Sequence, residues 1–138
     1  MGPTAALAVI DKCEKTKVWE KTKATGEIMQ KKWISSAQEH GLSVTCTGLP
    51  CLAHFKFNEH PIELETLYTV MMLKRGFLAN CAIYPTLAHD EKTVARYCDA
   101  VDEVFAGIAA ALANGGVEEV LNQIGGPVKR PGFARLIK

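Results

Sequence analysis

The chain has 138 residues, a formal net charge of +1 and 48% hydrophobic residues, the scale of one globular domain. So even a charge balance gives no electrostatic reason to expect nucleic acid or an anionic membrane, and no run approaches the roughly 18 apolar residues of a membrane span. The opening MGPTAALAVIDKC has no basic lead and meets charge at Asp11, so it does not read as a signal peptide. Cysteines at 13, 46, 51, 81 and 98 are odd in number and irregularly spaced, which fits reduced thiols in a cytoplasmic protein better than a disulfide framework.

A helix is expected over about 4–13, where Pro3 suits a first turn and Ala5, Ala6 and Ala8 are strong helix formers. A longer helix is expected over about 16–40. Trp19, Thr22, Gly26, Met29, Trp33 and Ala37 recur at steps of three and four and so share one face. Gly26 costs this helix roughly 1 kcal/mol relative to Ala, and its place on that face implies close packing against a neighbour. Gly41 stops the helix.

Two strands follow, at about 43–48 and 52–57, parted by Gly48 to Pro50. Ala53, Phe55 and Phe57 alternate with Leu52, His54 and Lys56, the period of a sheet with one buried face. A helix over about 62–75 carries Leu64, Leu67, Tyr68, Met71 and Met72 on one stripe and ends at Gly76. Short strands are expected at about 77–79 and 82–87. The clearest helical period runs over about 91–113, through Val94, Cys98, Val101, Phe105, Ile108 and Leu112. Asn114-Gly115-Gly116 breaks it, a short helix over 117–124 can follow, and residues 126–138 read as a tail or docking arm. The order predicts an α+β fold, a small antiparallel or mixed sheet covered by helices.

Candidate chemistry is sparse. His89-Asp90 has the look of a general base with its carboxylate, but adjacent side chains seldom aim at one point. Asp90 reads better as the N-cap of the helix after it. Cys46, Cys51 and His54 form the cluster with a metal look, at spacing that misses the usual zinc pattern. His40 and His60 border a helix end and a turn and are expected to face solvent. The lysine-rich face of residues 12–32 is interleaved with Asp11, Glu14, Glu20 and Glu27, as a solvated helix is. Met71-Met72 belongs to a core stripe, and neither G-x-x-x-x-G-K nor G-x-G-x-x-G occurs.

The segments GPTAALAVIDKCEK, GEIMQKKWISSAQEHGLSVTCTGLPCLAHFKF and LKRGFLANCAIYPTLAHDEKTVARYCDAVDEVFAGI, in that order, resemble the C-terminal part of class III pyridoxal-phosphate-dependent aminotransferases. Within them the chain is most similar to glutamate-1-semialdehyde aminotransferases and aminomutases, over about residues 2–112. The resemblance implies the small α+β domain of a fold type I enzyme. It also implies partners: a large cofactor domain and a second subunit of a homodimer. The family's Schiff-base lysine, pyridine-nitrogen aspartate and ring-stacking residues lie in that large domain. No lysine here matches the cofactor lysine, and Thr4 does not match the family's phosphate-contacting threonine. The resemblance therefore implies pyridoxal phosphate in the parent enzyme and no cofactor in this chain. It assigns no catalytic, cofactor-binding or metal residue here, and an inactive domain when alone. A free-standing interaction module of the same fold is the alternative.

Overall fold

A computed structural model describes residues 2–130. Helices α1 (Gly2–Thr16) and α2 (Val18–Glu39) are separated by the single residue Lys17, whose φ of 48° puts a side-chain-bearing residue in the left-handed region. Strands β1 (Val44–Thr47) and β2 (His54–Phe57) pair antiparallel, with Cys46 opposite Phe55 and Thr47 opposite His54. A short 3-10 turn, Pro50–Leu52, joins them. Helices α3 (Pro61–Lys74) and α4 (Glu91–Ile124) follow.

The architecture is α+β, as the sequence predicts. The alternation in β2 is realised: Phe55 and Phe57 are buried, and His54 and Lys56 are exposed. Their rings meet α2, α3 and α4 at the centre of the core. Phe55 lies 4.9 Å from Trp33, 5.1 Å from Tyr68 and 5.7 Å from Phe105, centroid to centroid. Each such ring stabilises the fold by about 1.5–3 kcal/mol through burial, with edge-on geometry adding to it.

Three expectations need correcting. Segments 77–79 and 82–87 form no strands; Ala82 makes one isolated bridge to His54, and the rest is irregular. The segment is nonetheless anchored, because Phe55 N–H donates to the Cys81 carbonyl at 2.9 Å and Ile83 N–H to that of Ala53 at 2.9 Å. The break at Gly48 to Pro50 continues as a helical turn, so the second strand starts at His54 rather than 52. Trp19 is 52% exposed, because this end of α2 projects with α1 beyond the sheet and α4.

Helix α4 runs to Ile124, with non-helical dihedrals at Gly115 and Gly116 where the sequence places a break. By length and hydropathy it is apolar enough to cross a membrane, contrary to the sequence expectation. Its Val101, Val104, Phe105 and Ile108 are fully buried, and it packs on α3 and α2. Gly125 caps its end at a φ of 64°, and in the predicted tail Lys129 N–H donates to Thr66 Oγ1 of α3 at 3.0 Å. Residues 131–138 of that tail lie outside the described residues.

Candidate functional site

A cleft of about 320 Å³ opens between the irregular segment after α3, the middle of α2 and the first turns of α4. Met29, Phe77, Ile83, Tyr84, His89 and Tyr97 are among its walls. The segment reaches this position because of its hydrogen bonds to Phe55 of β2 and to Ala53 just before it, and because Asn80 Oδ1 accepts from Ala82 N–H at 2.8 Å. Leu78 at 96% and Tyr84 at 66% exposure stand at the same surface.

Behind the cleft lies a buried polar trio. Trp33 Nε1–H donates to Tyr97 Oη at 2.9 Å, and the Tyr68 and Tyr97 hydroxyls are 3.0 Å apart. Burial pushes the Tyr97 phenol up to about 12 and raises that of Tyr68 further, so both stay protonated at neutral pH. Burial also pushes the Cys81 thiol up to about 12, which leaves it a poor nucleophile.

His89 and Asp90 do not act on one another. Thr86 N–H donates to His89 Nδ1 at 3.0 Å, while Asp90 Oδ1 accepts from Thr93 N–H at 2.7 Å. Asp90 is the N-cap of α4, and the Thr93 hydroxyl, then that backbone bond, lower its carboxyl pKa. His89 itself lies on the wall of the cleft, between it and a smaller hollow near Cys98.

Cys46, Cys51 and His54 are not gathered into a metal site. His54 Nε2 bonds Thr47 Oγ1 at 2.8 Å, and Cys51 stands exposed on the 3-10 turn. His60 is exposed before α3, as expected. His40 is not: its Nε2 is sealed from solvent without a hydrogen-bond partner, 3.6 Å from Asp102 Oδ1. Glu39, His40 and Asp102 do converge, but Asp102 is already engaged. Ser36 Oγ donates to it at 2.6 Å and Lys32 Nζ at 2.9 Å, and these hold its carboxyl at about 2. A resident ammonium supplies the charge a cation would bring, so the cluster acts as a clamp between α2 and α4. Periodicity cannot foresee it, since Ser36 and Asp102 are 66 residues apart.

A Schiff base with pyridoxal phosphate requires a lysine. Such a lysine must face a pocket with a depressed pKa. Among the described residues no lysine lines the cleft, and most stand exposed on helices. Lys129 comes nearest: desolvation, then Lys56, lowers its pKa. Its amine is nevertheless bonded to Glu65, away from the cleft.

No protein-family profile and no curated protein matches the chain. A solved structure does: the pyridoxal-phosphate internal aldimine form of the FumI protein of Sphingopyxis sp. MTA144, with a TM-score of 0.71 and 20% identity. The match covers 84% of this chain and 29% of that one, so the chain spans less than a third of that protein's length. The fold is therefore that of one part of a pyridoxal-phosphate protein.

Proposed function

We propose that this chain is the C-terminal small domain of a pyridoxal-phosphate-dependent class III aminotransferase, of the glutamate-1-semialdehyde aminotransferase type. In this reading it completes the active-site cleft of the full enzyme and is inactive alone. The observation that carries the reading is the fold likeness over 84% of the chain to part of a protein solved with pyridoxal phosphate. The order of the GPTAALA, EHGL and LAHDE segments narrows it to the class.

The surface supports the same reading. Helix α1 buries no residue, and Leu7, Val9 and Ile10 are 64%, 60% and 53% exposed. With Leu78 and Tyr84 they suit contact with a larger cofactor-holding domain. That domain would supply the Schiff-base lysine and the phosphate cradle, and the cofactor would supply the electron sink. This chain's share is to wall the cleft and exclude water. A homodimeric parent and a cytoplasmic setting belong to the same reading, the latter supported by five unpaired cysteines.

Light scattering of the purified chain tests it. A chain that self-associates through α1 fits a domain separated from its partner. A monomer that stays dispersed at high concentration and binds no hydrophobic dye would favour a free-standing interaction module instead.

A further inference from the structure

Helix α4 is anchored differently on the two sides of Gly115-Gly116. Ahead of the break, Val101, Val104, Phe105 and Ile108 are fully buried. Beyond it, Val120 is the one buried side chain of residues 117–130, and Leu121 is 43% exposed. A helix as short as Val117–Ile124 is marginal in water, so it needs tertiary anchors to stay ordered. The break itself is a natural hinge. Gly116 sits at a φ of 61° and a ψ of −146°, a conformation that residues with a β-carbon avoid, and nothing would lie within 4 Å of a Cβ placed there.

The remaining anchors lie after Ile124. Gly125 turns the chain at a φ of 64°, and Lys129 then reaches α3 twice. Thr66 Oγ1 spends its own proton on the Ile62 carbonyl at 2.6 Å, which leaves the oxygen free to accept Lys129 N–H at 3.0 Å. Lys129 Nζ bonds the Glu65 carboxylate, whose side chain is 12% exposed. Lys56 of β2 opposes that bond: desolvation, then Lys56, lowers the Lys129 pKa. The ammonium is thus held by one carboxylate and pushed by one cation.

We propose that residues 117–130 form a latch, hinged at Gly115-Gly116 and pinned by Lys129 to Glu65, which opens as a unit when the Lys129 charge is removed or screened while residues 91–113 stay folded. Opening bares Glu65, Thr66 and the part of the core that Val120 closes. The loss of one surface charge is thereby converted into exposure of apolar surface. The proposal does not depend on the aminotransferase reading.

Hydrogen exchange of the full chain, read by mass spectrometry on peptides covering 117–124 and 97–111, tests it. In the wild type, 117–124 should exchange faster than 97–111. Lys129→Gln should speed exchange of 117–124 about three- to fivefold, the scale of a partly exposed ion pair, and leave 97–111 unchanged. Lys129→Arg keeps the charge and should restore most of the protection.

Two further readouts separate a charge pin from a side chain that merely packs. Lys56→Gln removes the repulsion and should slow exchange of 117–124. Added salt should speed that exchange in the wild type and not in Lys129→Gln. Equal exchange of the two stretches, Lys129→Gln without effect on 117–124, the same acceleration in 97–111, or Lys129→Arg as open as Lys129→Gln would each overturn the proposal.

Discussion

Gly26 lies against the backbone of Pro50 so closely that a Cβ on it would come 1.8 Å from the Pro50 carbonyl oxygen. Mid-helix glycine is costly, and Gly26→Ala would gain about 1 kcal/mol on propensity alone. The clash is with backbone, which cannot swing aside, so the 3-10 turn and α2 must part. Gly26→Ala should therefore destabilise the chain by at least about 2 kcal/mol, within the range of overpacked cores. Urea denaturation checks the sign: a stabilised variant would mean that the turn is not seated on α2.

The clamp at Asp102 sets part of the acid sensitivity. Its carboxyl is held at about 2, first by Ser36 and then by Lys32, below the ordinary value of 3.8. A depressed carboxylate contributes fully above its unfolded pKa and loses that contribution as pH falls through its folded one. The window is thus about pH 4 down to about 2. Asp102→Asn should lower stability at neutral pH and flatten the acid limb across that window. Parallel wild-type and variant curves of urea midpoint against pH would refute the coupling.

Phe55 touches Trp33 of α2, Tyr68 of α3, Phe105 of α4 and Phe57 of its own strand. Removing it leaves a cavity bounded by four aromatics that cannot all collapse inward. Phe55→Ala should cost about 3–5 kcal/mol in chemical denaturation. A loss near that of an exposed site would show that the core is organised around another residue.

At the start of α4, Asp90→Ala should lower Tm, while Asp90→Ser, which keeps a cap acceptor, should recover most of it. His89→Ala should leave Tm nearly unchanged by comparison. Equal losses from His89→Ala and Asp90→Ala would favour a paired role for the two side chains.

Much of this fold was legible in the sequence where one rule acted alone. The alternation of Phe55 and Phe57, the stop at Gly41, the break at Gly115-Gly116 and the cap at Asp90 each follow from local chemistry. Gly26 was legible as a close-packing position, though not its neighbour. Residues 77–87 misled because apolar runs mimic strands, while here they are held by a bridge and two hydrogen bonds, to Phe55 of β2 and to Ala53 before it. The cleft was not legible. It is built from α2, an irregular segment and α4, and Tyr97 lies outside the stripe read from Val94, Cys98 and Val101. A wider apolar face, taking Tyr97 three residues after Val94, would have found it.

The claim that this domain needs a cofactor-bearing partner is tested most directly by pyridoxal phosphate itself. The chain is mixed with one equivalent, the Schiff-base absorbance is recorded, and borohydride trapping is followed by peptide mapping. The account predicts no stoichiometric adduct, only traces scattered over surface lysines. A single lysine labelled to completion would contradict it, because the chain would then carry a cofactor site of its own.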